Sequence, residues 1–302
     1  MSGRGSLDGE GIPAWRAWAG AMRPRTLSAA VAPVLVGTAL AWRDGRFDGA
    51  AACLCLLFAL LIQVGTNFSN DYHDFVKGAD TAARVGPRRA VAAGLVSPAA
   101  MRGAAWLVMA AAFLVGLGLV GRGGPWLILV GAVSILCGWA YTGGPYPLGY
   151  HGLGDVFVFV FFGLVAVCAT YFVQAGRVTA DAVLAAIPIG LLAANILLVN
   201  NYRDVDTDAA AGKRTLVVRL GKRFARVQHA VSLGVAMGVP ILIFWGEGRR
   251  WTLLPVALAP LASAQVKRLR ESRSPEDLVA LLGRTAGFLA LYAVLFAAGV
   301  ML

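Results

Sequence analysis

The chain has 302 residues, of which 58% are hydrophobic and 14% charged, and its mean hydropathy is +0.70. A water-soluble enzyme, a secreted disulfide scaffold and a disordered chain are excluded, because polar groups could not cover so much apolar surface. The net charge of +11 is compatible with binding to nucleic acid, binding to anionic lipid, or basic residues that set the membrane topology. The positions of the basic residues decide among these three explanations.

Apolar stretches follow one another along the chain, and about 17 to 25 residues are needed to cross a bilayer as a helix. We predict an all-α, polytopic membrane protein whose nine transmembrane helices surround a central cavity. The predicted spans are 25–43, 49–70, 98–121, 125–141, 153–174, 179–201, 227–246, 251–266 and 280–301. Residues 1–22 should form a cytoplasmic or interfacial segment, and 23–302 a single transmembrane domain.

The basic residues are distributed unevenly between the two sides of the predicted bundle. With the N-terminus inside, 21 of the 27 Lys and Arg residues fall in inner segments, which predicts a cytoplasmic N-terminus and an external C-terminus in the cell membrane. This bias accounts for most of the positive charge. We therefore expect the lipid bilayer as a partner of the chain and do not expect nucleic acid.

Carboxylates are rare near hydrocarbon, so the places where they gather are informative. The first cluster ends the second predicted span, in the segment NFSNDYHDFVKGAD (67–80). Its polar residues at offsets 0, 3, 4 and 7 are Asn67, Asn70, Asp71 and Asp74. This spacing puts all four side chains on one helical face.

The second cluster ends the sixth predicted span, where Asn200, Asp204 and Asp208 recur every four residues on one face. Asp206 should point away from that face. The pattern Asn-x-Tyr-x-Asp occurs in both clusters, which predicts an internal repeat of about four helices. In a bundle, such a pseudo-repeat would let the two acidic faces meet at the cytoplasmic ends of the spans.

The oxygen-rich clusters contain no suitably spaced Cys or His, so they favour a hard cation. Mg²⁺ is the common one that shares its coordination with phosphate oxygens. Basic residues near both clusters would add an anion site, and they are Lys77, Arg84, Arg88, Lys213 and Arg214. A diphosphate held by metal and basic groups is a good leaving group. A diphosphate that also enters a bilayer indicates a lipid tail.

Two other interpretations stay open at this point. An ion-coupled transporter also carries intramembrane carboxylates, although such acids usually lie near mid-span and these lie at span ends. The clusters could also be helix caps and solvated loop residues of a structural or lipid-binding membrane protein.

The paired motifs on the second and sixth helices resemble the UbiA superfamily of intramembrane aromatic prenyltransferases. Longer segments resemble the subgroup that prenylates 1,4-dihydroxy-2-naphthoate in menaquinone synthesis; they are NDYHDFVKGAD (70–80), RVGPRRAV (84–91), YTGGPYP (141–147) and NNYRDVDTDAAAGKRTLVVRLG (200–221). The resemblance implies Mg²⁺-dependent transfer from an allylic polyprenyl diphosphate, with loss of the acceptor carboxyl group as CO₂. Within the family, 4-hydroxybenzoate or another ring is the alternative acceptor.

Carried over residue by residue, the resemblance also implies roles for individual side chains. The metal ligands would come from Asn70, Asp71, Asp74, Asp80, Asn200, Asp204 and Asp208. Gly78 stands where the general family has a third acid, so either Asp71 or Asp80 could complete the first motif. The catalytic residues would be Asp71, Asp74, Asp204, Asp208 and Lys213, and the diphosphate contacts Lys77, Arg84, Arg88, Lys213 and Arg214.

Aromatic rings stabilise carbocations, and several lie in the loop after the fourth predicted span. The candidates are Tyr141, Tyr146, Tyr150 and Phe157, which ordinary packing would also explain. Asp155 opens the fifth span, and Arg23 precedes the first. Both could orient the acceptor, while helix capping or membrane topology would account for them as well.

Overall fold

A computed structural model describes residues 13–80, 86 and 89–302, which fold into helices joined by short loops. The α-helices are α1 (Ala14–Met22), α2 (Ser28–Arg43), α3 (Gly49–Val76), α4 (Pro98–Gly123), α5 (Trp126–Ala140), α6 (Gly154–Ala175), α7 (Ala180–Arg203), α8 (Val205–Ala210), α9 (Leu216–Glu247), α10 (Ala259–Glu271) and α11 (Pro275–Met301). Short 3-10 turns cover Pro24–Thr26, Leu148–His151 and Arg250–Leu258, and a π-helical stretch inside α6 covers Phe159–Val165.

The all-helical, multi-pass architecture is confirmed in the described residues, where six helices are long and apolar enough to span a membrane. A seventh span results if α1 and α2, which meet at a 50° bend, are taken together. Arg23 lies at that bend with a positive φ of 54°. The shorter α5 and the broken segment 250–271 do not meet the same length test, so nine spans and the four-helix repeat stay predictions.

The centre of the bundle is α7, the most enclosed of the long helices. Its apolar side chains pack with those of α2, α9 and α11 in one large cluster that includes Ile189 and Phe296. Buried Tyr292 of α11 donates its hydroxyl proton to the carbonyl oxygen of Ala236 in α9, at 2.7 Å. Small residues let the helices approach closely, which is how helices associate where lipid removes the hydrophobic drive.

Gly190 of α7 shows how tight this packing is. An added methyl group there would lie 2.7 Å from the carbonyl oxygen of Phe159 in α6. We expect Gly190→Ala to lower the free energy of unfolding by about 1–3 kcal/mol, because the two helices must separate. The matched control is Gly103→Ala in α4, where a methyl group meets no atom within 4 Å. Thermal unfolding of the purified variants checks this, and an unchanged transition in Gly190→Ala would contradict it.

Both acidic motifs lie at the same end of the bundle. The opposite end is closed by Arg43, whose guanidinium pairs with Asp44 and Asp181 at 2.9 Å and with Glu247 at 3.3 Å. Asp181 lies in the first turn of α7, whereas Asn200 lies in its last turn and Asp204 directly follows its last residue. A helix of 24 residues is about 36 Å long, so the two polar ends are separated by the full thickness of a bilayer.

Candidate active site

The last two turns of α3 carry the first motif, and its polar face is turned inward. The buried members are Asn67, Asn70, Asp71 and Asp74. The amide of Asn67 donates to the main-chain carbonyl of Met22 at 2.9 Å, which ties α1 to α3. Asn70 accepts a hydrogen bond of 2.8 Å from the Thr142 hydroxyl, which ties the loop after α5 to the motif.

The second motif spans a break between two helices. Asp204 has non-helical backbone angles (φ −92°, ψ 10°), so α7 ends at Arg203 and α8 begins at Val205. The spacing of four is nevertheless kept, because the Asp208 amide donates to the Asp204 carbonyl at 2.7 Å. Asp204 and Asp208 are buried and Asp206 is exposed, as the periodicity predicts.

The two motifs meet on either side of Tyr150, which belongs to the loop between α5 and α6. Its hydroxyl donates to Asp74 at 2.9 Å, and its carbonyl accepts from the Arg214 amide at 2.9 Å. Lys77 follows the first motif and lies 4.7 Å from the centre of the Tyr150 ring, while Lys213 follows the second and lies 5.6 Å from it. The expected convergence of two acidic helix ends is therefore present.

Asp74, Asp80 and Asp204 each have a cationic neighbour. Arg89 lies 3.7 Å from Asp74 and 3.4 Å from Asp80. Arg203 donates two hydrogen bonds to Asp204, of 2.6 and 2.7 Å, in the bidentate arrangement typical of guanidinium and carboxylate groups. Such pairing lets several charges share a buried space that none could occupy alone.

Asp208 differs from the other acids of the site. Burial raises its pKa to about 6, and the charge of Asp204 adds to the effect while Lys213, at 3.4 Å, opposes it. Its Oδ2 atom is buried without a hydrogen-bond partner in the described part of the chain. Burial also lowers the pKa of Lys77, whose ammonium group donates to the Thr142 carbonyl at 2.6 Å.

These oxygens fit a hydrated magnesium ion. Among the described residues, no three Asp, Glu, His or Cys side chains lie close enough to hold a metal unaided. Mg²⁺ commonly binds through one or two carboxylates and completes its shell with water and phosphate oxygens. The unpartnered Oδ2 of Asp208 is a suitable hard ligand for an ion that shares its coordination with a phosphorylated ligand.

Asp71 contacts the chain that follows the first motif. Its two carboxylate oxygens accept hydrogen bonds from the amides of Ala90 and Val91, at 3.1 and 3.3 Å. These amides directly follow Arg89, so Asp71 holds the segment that brings the Arg89 guanidinium to Asp74. The geometry favours a positioning role for Asp71 over direct contact with a metal.

We expect Asp71→Asn to leave the Mg²⁺ dependence of activity unchanged while lowering thermal stability. An asparagine has only one acceptor oxygen, so one buried amide would lose its partner, at about 1–3 kcal/mol. Initial rates across a Mg²⁺ titration, with a melting curve on the same sample, check this. A weakened apparent affinity for Mg²⁺ would instead identify Asp71 as a ligand.

The other predicted site residues lie at different distances from the centre. The Tyr141 ring packs against Gly149 and Gly154. Burial raises the pKa of Tyr141, and the negative charges of Asp74 and Asp208 add to the shift. Asp155 accepts a hydrogen bond of 3.0 Å from Gln228 of α9. Arg23 interacts electrostatically with Asp71 of the first motif. Tyr146 and Arg214 are exposed instead, and the Tyr146 ring stacks on His151. Arg84 and Arg88 lie outside the described residues.

Sequence reasoning missed the two arginines that pair with the motif acids. Arg203 stands directly before Asp204, and its charge is explained equally well by the inward bias of basic residues. Arg89 ends the segment GPRR (86–89), in which the predicted diphosphate contact is Arg88. The signal that could have found Arg203 is its position inside an otherwise apolar and amide-rich helix end, where an unpaired cation is costly.

An apolar crevice leads away from the polar centre. It has a volume of about 160 Å³ and is lined by α2 to α6. Along α3 it reaches from Thr66 to Cys55, and along α5 from Gly138 to Leu127. Eleven helical residues correspond to about 17 Å, so the crevice is long and narrow. Tyr141 lies at its polar end.

Together these features define a class: a polytopic helical protein with paired acidic motifs, flanking cations and a deep apolar crevice. The model of the UbiA prenyltransferase family matches residues 30–291. The chain belongs to the UbiA prenyltransferase family, and the resemblance inferred from its motifs is confirmed. It is accordingly a prenyl-transferring enzyme, which disfavours the transporter and structural-protein interpretations.

Named relatives and solved structures agree with this assignment. The chain is 37% identical to the 1,4-dihydroxy-2-naphthoate octaprenyltransferases of Haemophilus influenzae and Escherichia coli, over 94% and 95% of this chain and 96% of each relative. The Mycobacterium tuberculosis protein of the same name is 39% identical over 94% of this chain and 96% of its own. A UbiA homologue from Archaeoglobus fulgidus bound to DMAPP and Mg²⁺ has a TM-score of 0.64 at 15% identity, covering 93% of this chain and 99% of that one, so it shares the fold.

Proposed function

We propose that this chain transfers a polyprenyl group from an allylic prenyl diphosphate to 1,4-dihydroxy-2-naphthoate, with release of diphosphate and CO₂, in menaquinone synthesis. The observation that carries the reaction type is the meeting of two acidic motifs at Tyr150, with one lysine from each motif against its ring. The identity of the acceptor rests on relatives that carry this activity in their names and match nearly the whole chain.

The amide and carboxylate oxygens at the end of α3 and across the break between α7 and α8 are proposed to hold Mg²⁺. The residues are Asn70, Asp74, Asn200, Asp204 and Asp208. Asp80 joins this set because Arg89 contacts both Asp80 and Asp74. When bound, the ion would neutralise phosphate oxygens and make the diphosphate a better leaving group. The cations that now pair with these acids, among them Arg89 and Lys213, would turn toward phosphate once a ligand brings its own negative charge.

The reaction breaks the bond between C1 of the donor and its diphosphate oxygen, and the electron pair leaves with the diphosphate. The electron-rich ring carbon that bears the carboxylate bonds to C1, and the carboxylate leaves as CO₂ while its bonding pair returns to the ring. The rings of Tyr150 and Tyr141 would face the developing allylic cation. Burial and the charge of Asp74 raise the pKa of Tyr150, so its hydroxyl keeps its proton and continues to donate to Asp74.

The polyprenyl tail would occupy the apolar crevice between α2 and α6, whose polar end adjoins Tyr141. We further propose that the nine-span topology and the inward N-terminus hold, with the active site near the cytoplasmic face. The concentration of 21 of the 27 basic residues in the inner segments supports this orientation.

The acceptor is tested by supplying purified enzyme in lipid nanodiscs with radiolabelled polyprenyl diphosphate, Mg²⁺ and one of several aromatic acids. The expected result is a prenylated product only with 1,4-dihydroxy-2-naphthoate, accompanied by one equivalent of CO₂. Parallel reactions contain 4-hydroxybenzoate and 1,4-naphthalenediol, the acceptor without its carboxyl group. Transfer to the benzoate alone would overturn the proposed acceptor while leaving the prenyltransferase assignment intact.

A further inference from the structure

A second basic site lies outside the active site, between the first half of α9 and α10. We call it the arginine cleft and define it by Arg223 and Arg226 of α9 and Arg270 of α10, with Val227 forming part of its wall. The cleft has a volume of about 410 Å³. Its position follows from packing, because Ala225 and Leu269 are buried in one apolar cluster and so direct the neighbouring arginines to a shared edge.

The three guanidinium groups have no acidic partner in the described part of the chain. The hydrogen bond they do form joins the Arg226 Nε to the Lys222 carbonyl of its own helix, at 3.3 Å. The arginines of the active site behave differently, since Arg89 and Arg203 are each paired with carboxylates. Three converging cations repel one another, and an anion in the cleft would relieve that repulsion.

Exposed apolar side chains of α9 lie beside the cleft, as expected for a site at a membrane surface. Leu220, Phe224 and Val227 of α9 are exposed beside it. Gly221 interrupts the helix with angles of φ 81° and ψ 168°, so the first turn of α9 bends away from the rest. A surface that combines exposed apolar groups with Lys and Arg is typical of segments that lie among lipid headgroups.

From these contacts we infer that the arginine cleft binds the phosphate headgroup of an anionic phospholipid. Topology alone explains why the residues are basic but not why two helices direct them into one cleft. The prenyl donor is a poorer occupant, because the cleft has no carboxylate among its lining residues to hold the Mg²⁺ that a diphosphate carries. Free phosphate would gain nothing from the exposed Leu220 and Phe224. The inference rests on the fold and is independent of the acceptor.

The test measures lipid binding to delipidated full-length protein by native mass spectrometry. Dioleoyl phosphatidylglycerol and dioleoyl phosphatidylcholine are titrated separately, with inorganic phosphate as competitor. The variant with R223Q, R226Q and R270Q should bind phosphatidylglycerol on the order of 100-fold more weakly, since each arginine near a membrane surface contributes roughly fivefold. Phosphatidylcholine binding should be unchanged, and phosphate should not compete.

The matched control removes the same charge from exposed positions on and just after α10, with K267Q, R268Q and R273Q, and should keep the preference for phosphatidylglycerol. Equal loss in this control, equal wild-type affinity for the two lipids, or displacement by inorganic phosphate would each overturn the inference. If the triple variant does not purify as a single species, R270Q alone decides the question. Arg270 is exposed, so its loss should spare the fold and still weaken binding about fivefold.

Discussion

Replacing Asp74 or Asp204 with alanine is expected to reduce prenyl transfer by about a thousandfold, the scale on which losing a charge-stabilising group acts. Asp74 accepts from the Tyr150 hydroxyl at 2.9 Å and lies 3.7 Å from Arg89, so its loss removes a proposed metal ligand and leaves Arg89 with one carboxylate fewer. Asp204 neutralises Arg203 through contacts of 2.6 and 2.7 Å. Its loss leaves a buried guanidinium without its counter-charge, at about 3–5 kcal/mol.

Stability and chemistry must therefore be separated in this experiment. Asp74→Asn and Asp204→Asn keep the shape of the side chain and remove only its charge, so they should fold better and remain inactive. Initial rates are measured with labelled prenyl diphosphate, beside size-exclusion profiles and melting curves in the same detergent. Asp206→Ala is the matched control, because this exposed acid lies in α8 between the two motif acids and should keep wild-type activity. A normal rate in Asp204→Ala would remove that residue from the site.

The inward face of α3 could be predicted because helical periodicity is local. Spacings of three and four residues fix which side chains share a face, and all four members of the first motif are indeed buried. What Asp71 contacts could not be predicted, because its partners are backbone amides nearly 20 residues away in the chain. Only the path of the returning loop decides whether Asp71 faces a metal or a main chain.

The aromatic residues of the loop after α5 show the same limit. Tyr146 and Tyr150 are four residues apart in a segment rich in Gly and Pro, and nothing in its composition distinguishes them. The loop turns at Gly144 and Gly152, which have positive φ angles of 73° and 77°. These turns bury Tyr150 against Asp74 and leave Tyr146 exposed, stacked on His151. Helical and strand periodicity cannot predict which side chains are buried in such loops, because the backbone angles differ from residue to residue.

Substituting Lys77 and Lys213 together by glutamine is expected to lower kcat/KM for the prenyl diphosphate by more than about a hundredfold, since a hydrogen bond to a charged group contributes about 1.5–3 kcal/mol. Both ammonium groups lie over the Tyr150 ring, one from each motif, which places them where a diphosphate would be held between the motifs. The loss should appear as a raised KM for the donor, because phosphate binding is weakened before any bond breaks. The KM for the acceptor should change little.

The two lysines should not act independently. They share one ring, and Lys77 also donates to the Thr142 carbonyl at 2.6 Å, so removing one lets the other move into the space. Each single substitution is therefore expected to have less than half the effect of the pair on the free-energy scale. Lys222→Gln is the matched control, since Lys222 lies 5.5 Å from the Tyr202 ring in a similar contact outside the acidic centre. If the double variant changed the acceptor KM instead, the diphosphate would have to bind elsewhere, and Lys77 and Lys213 would face the acceptor carboxylate.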